Sequence, residues 1–131
     1  MVSDTKRLVS RLSATIPRID FLLLTQGVMT LAGRTETSEG NDRKMMLHYY
    51  SRLAATFGLT EQLRKTGSGG NARVMSVLDS VWGVPDKMKW DDLELKHNYS
   101  TRNAANHCEV MNDASVQVCP HSSFLWHQRR I

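Results

Sequence analysis

Two hydroxyl-bearing residues stand where acid–base chemistry would be useful. Ser80 ends the run 72-ARVMSVLDS-80, and Tyr99 is the second residue of the stretch 98-NYSTRNAANH-107. A phenol can donate or accept a proton in a transition state, and a serine hydroxyl can hydrogen-bond a substrate oxygen. Because a free phenol has a pKa near ~10, it works best near neutral pH beside a cation. Four residues after Tyr99, the sequence has Asn103, a neutral amide.

The elements that would carry these residues alternate between helices and strands. Apolar positions three and four apart predict a first helix ending at Pro17, and the uniformly apolar run 19-IDFLLL-24 predicts a strand covered on both faces. The pattern then predicts a long helix over 41–65, a second strand over 72–80 and a third helix from about Tyr99 to Val118, after which Pro120 ends regular structure. This order is typical of an α/β protein with a right-handed parallel crossover.

Size and composition limit the classes of partner. The 131 residues suit one domain, 1–131, and a charged share of 23% is ordinary for a globular chain. The net charge of +4 lies in scattered pairs, so no nucleic-acid partner is expected. No stretch approaches the ~18 apolar residues of a membrane span, and the N-terminus lacks a secretory signal. We therefore expect a cytoplasmic protein without a membrane partner, its Cys108 and Cys119 reduced.

Four segments, in order, resemble the short-chain dehydrogenase/reductase family. The segment 19-IDFLLLTQG-27 is similar to the family's strand before its Asn-Asn-Ala-Gly turn, and 42-DRKMMLHYYSR-52 resembles its long helix. The segment 72-ARVMSVLDSVWG-83 resembles the serine strand, and Tyr99 begins the family's YSxxxAA pattern. The resemblance covers about 15–118 and leaves 119–131 unplaced. It implies an α/β, partial Rossmann-like fold with parallel strands and flanking helices, lacking the N-terminal dinucleotide-binding βαβ unit.

The resemblance also implies an activity, which is hydride transfer between NAD or NADP and a small-molecule carbonyl or alcohol. By position, Ser80 would hold the substrate oxygen and Tyr99 would donate or take its proton. Asn103 stands where the family has the lysine that binds the nicotinamide ribose and lowers the phenol pKa. His48 stands where the family has the asparagine of a water relay, and Gly27 would contact the cofactor. Homo-oligomerisation through the long helix is a further implication.

The asparagine at position 103 leaves two hypotheses open, one catalytic and one non-catalytic. An ammonium about 4 Å from a phenol, at an effective dielectric constant of ~20, is worth about 4 kcal/mol, or roughly three pKa units. A neutral amide does not replace that field, although it can hydrogen-bond a ribose hydroxyl. One hypothesis is an oxidoreductase with altered supporting roles. The other is a non-catalytic remnant that acts as an interaction module, in which Tyr99 only packs at a helix start.

Two other patterns are weak. The string 67-GSGGNA-72 fits a dinucleotide-binding pattern, but it follows a helix and precedes a strand, the reverse of what phosphate binding requires, so it is interpreted as a helix cap and turn. We therefore expect a truncated family member in which the edge of the strand 19–24 is open to pairing.

No metal site is predicted, because metal-ligand spacing is missing among His97, His107, Cys108, Cys119 and His121.

Overall fold

Three parallel strands form the sheet, in the order β1 (Phe21–Leu24), β2 (Arg73–Leu78) and β3 (Leu125–Arg130). The computed structural model describes residues 2–65, 72–79, 81–118 and 125–130, the last six by their backbone alone. Phe21 pairs with Arg73, and Arg73 pairs with Leu125. The α/β class with parallel strands is thus confirmed. The expectation that Pro120 ends regular structure was wrong, because the tail supplies β3.

One helix precedes β1, and the others lie between the strands along the chain. In chain order they are α1 (Val2–Thr15), α2 (Arg43–Met45), a π-helical turn (Met46–Tyr50), α3 (Ser51–Gly58), α4 (Thr60–Arg64) and α5 (Thr101–Val118), with short 3₁₀ turns at Pro85–Lys87 and Trp90–Asp92. The predicted long helix therefore exists, but a π turn and a break at Leu59 interrupt it. A Cβ on Gly58 would come within 2.5 Å of Val9 Cγ1, so this glycine lets α1 pack closely on α3.

The third helix begins two residues later than predicted. The Ser100 hydroxyl accepts a hydrogen bond from the backbone N–H of Asn103 at 3.0 Å, and its carbonyl accepts one from Ala104. Ser100 thus acts as the N-cap of α5, the position that serine favours. Tyr99 consequently lies in the preceding loop and not on the helix.

The core divides into two clusters. One lies against the sheet and includes Leu24, Leu63 and Val74; the other joins α2 to α5 through Met45 and Ala104. Strand β1 is less covered than its apolar sequence predicts, since about half of the Leu23 surface is exposed. Within the described residues, no helix is both long and apolar enough to cross a membrane.

Candidate functional site: a cleft at the carboxyl edge of the sheet

A cleft of about 550 Å³ lies where β1 and β2 end. The segment 27–30 after β1 forms one wall, and the end of β2 at 77–79 forms another. Helix α5 closes the cleft along Thr101 to Glu109, and Trp82 also lines it. Ligands of open parallel sheets bind at this edge, because the loops after neighbouring strands diverge there. The cleft is therefore the candidate functional site.

Three basic residues enter the cleft from one helical face. Lys44, His48 and Arg52 are spaced four apart, and all three line the cleft. Residues at this spacing lie on the same side of a helix. This periodicity is visible in the sequence. It could have identified Lys44 and Arg52, although only His48 was predicted as a site residue.

Arg52 joins the carboxyl ends of the two strands. Its guanidinium donates to Gln26 O from Nη2 at 2.6 Å and to Val77 O from Nη1 at 2.6 Å. The same Nη1 donates to Ser76 Oγ at 2.7 Å. Only 2% of the Arg52 surface is exposed. Its N–H groups bind carbonyl oxygens that lie past the last residue pair between β1 and β2. Arg52 therefore fixes the shape of the cleft floor.

His48 lies against the backbone that follows β1. Its Nε2 is 3.0 Å from Val28 N and 3.1 Å from Val28 O, so the ring accepts from the amide when its proton is on Nδ1. A Cβ on Gly27 would lie 2.6 Å from His48 Cε1, which only a glycine avoids. Burial lowers the pKa of His48 below its usual value, which keeps the ring neutral at pH 7. The structure thus brings together two of the predicted residues, Gly27 and His48.

The backbone of His48 lies within the π turn. The His48 carbonyl accepts a hydrogen bond from Asn112 Nδ2 at 3.0 Å, and the same amide donates to Cys108 O at 2.7 Å. Asn112 is 2% exposed. A π turn widens the helix by one residue and disturbs its regular hydrogen bonding. Asn112 therefore ties this turn to α5 and supports the position of His48.

Tyr99 is held away from the cleft wall. Its hydroxyl lies 3.1 Å from Lys44 Nζ, which also donates to Ala32 O. The Lys44 side chain lines the cleft, whereas Tyr99 is not among the described lining residues. Burial of the hydroxyl, and then the nearby Asp42 carboxylate, raise the pKa of Tyr99 to about 12. The Lys44 ammonium does contact the Tyr99 hydroxyl, whereas the resemblance implies a lysine at position 103. The phenol nevertheless keeps its proton near neutral pH.

The Asn103 side chain has a local role in the structure. Its Nδ2 donates to Asn98 O at 2.7 Å, which closes the loop onto the first turn of α5. Asn103 is not among the described residues that line the cleft. Ser80, the other predicted hydroxyl, lies outside the described residues, as does nearly all of the glycine string 67–72.

The cleft-facing side of α5 presents other residues. Ala105 and Glu109 line the cleft four positions apart, and Glu109 is 4% exposed. Glu109 Oε1 accepts a hydrogen bond from Asp79 N at 3.1 Å, which links the end of β2 to α5. Ala105 thus presents a methyl group and Glu109 a carboxylate to the cleft.

No metal centre is formed by the described parts of the chain, which contain no group of three or more His, Cys, Asp or Glu side chains arranged to hold an ion. His107 instead has a structural role. Its Nε2 accepts from Lys89 N at 2.9 Å, and its Nδ1 lies 3.4 Å from Leu93 O.

Comparison with known sequences adds two relatives. The chain is 36% identical over 100 residues to oxidoreductase AN1596 of Emericella nidulans (strain FGSC A4), covering 76% of this chain and 28% of that protein. It is 30% identical over 119 residues to the NmrA-like family domain-containing oxidoreductase notO of Aspergillus sp. (strain MF297-2), covering 89% of this chain and 34% of that protein. The chain thus spans about a third of the length of these relatives. No protein-family model matches it.

Solved structures show the same fold. The NADH-dependent reductase A1-R′, complexed with NAD, superposes with a TM-score of 0.63 at 20% identity, covering 98% of this chain and 51% of that one. A short-chain dehydrogenase from Streptomyces avermitilis superposes with a TM-score of 0.62 at 12% identity, covering 99% and 44%. The fold is therefore that of solved reductases and short-chain dehydrogenases, and by sequence the chain is similar to two oxidoreductases.

Proposed function

We propose that this chain forms the nicotinamide-and-substrate side of an NAD(P)-dependent oxidoreductase of the short-chain dehydrogenase/reductase type, and that catalysis by the chain itself is impaired. The observation that carries the proposal is the cleft at the carboxyl edge of the parallel sheet. Its walls are mostly apolar, as ligand pockets are, and a few polar groups converge on it. The substrate class is a small-molecule carbonyl or alcohol.

NAD or NADP, when bound, would supply or accept the hydride. We place the nicotinamide half in the cleft, because ligands of open parallel sheets bind at this edge. A pyrophosphate group is usually held by a strand, a glycine-rich turn and a helix N-terminus. In the part of the chain that is described, α1 precedes β1 and no such unit is present. We therefore expect weak cofactor binding, with the nicotinamide half contributing most of it.

The proposed roles follow the family by position. Ser80 would hold the substrate oxygen, Tyr99 would exchange the proton, and His48 and Asn103 would act in altered supporting roles. For Tyr99 to act, its hydroxyl must leave Lys44 and turn toward the cleft. The pKa of about 12 shows how strongly the resting arrangement holds the phenolic proton. This requirement is the physical reason that we expect impaired activity.

Titration with reduced cofactors tests the proposal. NADPH, NADH and reduced nicotinamide mononucleotide are added to ¹⁵N-labelled chain, and amide shifts are followed. Saturable shifts at Gly27, Val28 and Ala105 are expected, together with slow hydride transfer to an aldehyde that Tyr99→Phe abolishes. Tyr50→Phe is the control, because Tyr50 lines a different pocket. Absence of any shift at millimolar cofactor would contradict the proposal.

A second function, a non-catalytic remnant that binds a ligand or partner, is favoured by one observation. The described cleft-lining pairs four apart on α5 are Thr101/Ala105, Ala104/Cys108 and Ala105/Glu109, and none of them supplies a phenol or an ammonium. Cofactor binding without hydride transfer, unchanged by Tyr99→Phe, would support this function. The double variant Ala105→Tyr/Glu109→Lys then places the family pair in the cleft. Circular dichroism must first show that it folds, because Glu109 also supports Asp79.

A further inference from the structure

Arg102 and Trp82 meet at the side of the cleft formed by α5. The Arg102 guanidinium carbon lies 5.5 Å from the centre of the Trp82 ring, and both side chains line the cleft. Arg102 is exposed and Trp82 is half-buried. A guanidinium at this distance from an indole is attracted by the negative face of the ring. The contact therefore limits the orientations that the Arg102 side chain adopts.

The other cations of the cleft are already engaged by the protein. Arg52 donates to three protein oxygens, and Lys44 donates to Ala32 O and Tyr99 Oη. Among the described residues, by contrast, Arg102 has no carboxylate within salt-bridge distance. Its five N–H donors in a planar fork match a carboxylate or phosphate group. Arg102 is therefore the cleft cation most available to a ligand.

The carboxylates of the cleft do not satisfy Arg102. Glu109 Oε1 accepts from Asp79 N at 3.1 Å, and Asp79 Oδ1 accepts from Val81 N at 2.7 Å. One oxygen of each carboxylate thus accepts a hydrogen bond from a backbone amide near the end of β2. An anionic ligand would meet the guanidinium edge, while the indole would supply an apolar surface beside it.

We propose that Arg102 and Trp82 form an anion-recognition site in the cleft, which takes a ligand whose flat, apolar part carries an anionic oxygen group, either a carboxylate or a phosphate. The proposal rests on the proposed function and narrows its substrate class: the carbonyl or alcohol substrate bears an acid group. The flat part lies against Trp82, and the anionic group binds the guanidinium of Arg102.

Three probes that share one ring test the site: benzoate, phenyl phosphate and benzamide. Binding is followed through the indole N–H resonance of Trp82, which is assigned by its loss in Trp82→Phe. Benzoate and phenyl phosphate should bind at least ~10-fold more tightly than benzamide, as expected for a charge-assisted hydrogen bond. Arg102→Gln should remove this preference. Arg43→Gln, which makes the same charge change outside the cleft, should leave it intact.

Equal affinity for benzoate and benzamide, or no movement of the Trp82 resonance at tens of millimolar probe, would overturn the proposal. A preference that survives Arg102→Gln would overturn it as well. Tighter binding of phenyl phosphate identifies a phosphate ligand, whereas tighter binding of benzoate identifies an acid substrate. The cofactor titration is an independent test. If NADPH shifts the amide resonances but benzoate binds no more tightly than benzamide, only this inference is contradicted. If benzoate binds more tightly than benzamide but NADPH causes no shift, only the proposed function is contradicted.

Discussion

At the scale of single residues, Gly27 controls the position of His48. A Cβ at position 27 would lie 2.6 Å from His48 Cε1, whereas a Cβ on Gly33 would meet nothing within 4 Å. We expect Gly27→Ala to destabilise the chain by about 1–3 kcal/mol, the usual cost of overpacking, and Gly33→Ala to be nearly neutral. Urea unfolding of both variants measures the difference. Equal stabilities would show that the His48 ring moves aside at no cost.

The buried histidine His107 should make stability depend on pH. Burial lowers its pKa, with Lys89 acting in the same direction, while a hydrogen bond to Leu93 and the charge of Asp92 oppose the shift. Because the folded pKa is lower than the unfolded one, the stabilising contribution is present above pH ~6.5 and is lost as pH falls below it. Protonation also removes the acceptor used by Lys89 N.

Unfolding free energies between pH 7.5 and 5 test this expectation. The wild-type chain should lose stability over that range, and His107→Gln should lose less, although His48, whose pKa is also lowered, contributes a part of the slope. The matched control is His97→Gln, since His97 is exposed. A wild-type slope that His107→Gln leaves unchanged would show that this ring does not resist protonation.

The sequence predicted some cleft residues correctly, and there is a physical reason why it misplaced Tyr99. Gly27 and His48 were predicted from a strand end and a helix, and the structure places them in contact. Tyr99 was placed on α5, but the Ser100 cap starts the helix after it, and a shift of two residues changes which way a side chain points. Its role, and those of Ser80 and Asn103, stay predictions.

At the scale of elements, Asn112 holds the π turn against α5. Its Nδ2 donates to the carbonyls of His48 and Cys108. Asn112→Leu, similar in volume, removes both donors, and a buried carbonyl left unsatisfied costs about 1–3 kcal/mol. We expect that loss in urea unfolding and a shift of the His48 ring resonances in NMR spectra. Asn103→Leu is the control, because that amide bonds only at the loop before α5.

A loss of stability with unmoved His48 resonances would contradict the supporting role of Asn112 and leave it a packing residue only. The two readouts are separable, because the ring shifts report on the contact with Val28 and the unfolding free energy does not. An equal ring shift in Asn103→Leu would likewise count against a specific role.

Local sequence patterns were sufficient to predict some of the helices and strands and not others. Periodicity predicted the order of helices and the first two strands, since both signals are local. The π turn was not predictable, because its position depends on contacts with α5 across about 64 residues of chain. Strand β3 was missed because 121-HSSFLWHQRRI-131 lacks alternation, and its pairing partner is β2, far away in sequence.

At the scale of the whole molecule, the chain covers about half of each of the two solved structures, and β1 and β3 are the two edge strands of the described sheet. Among the described strands, β1 pairs with β2 alone. Phe21 and Leu23 are about half exposed on this strand. An unpaired edge with apolar side chains is a template for pairing with another strand. Self-association through β1 is therefore the expected behaviour of the 131-residue chain in solution.

A charged residue on that edge should oppose association, as lysines do on natural edge strands. We expect Leu23→Lys to lower the associated fraction several-fold in sedimentation velocity experiments over a range of concentrations. Leu31→Lys is the matched control, because Leu31 is 95% exposed but lies outside any strand. If both variants reduce association equally, general hydrophobicity and not strand pairing drives it. If only Leu23→Lys does so, the open backbone of β1 is the contact, because its neighbour in the ladder, Met75, already occupies the other side.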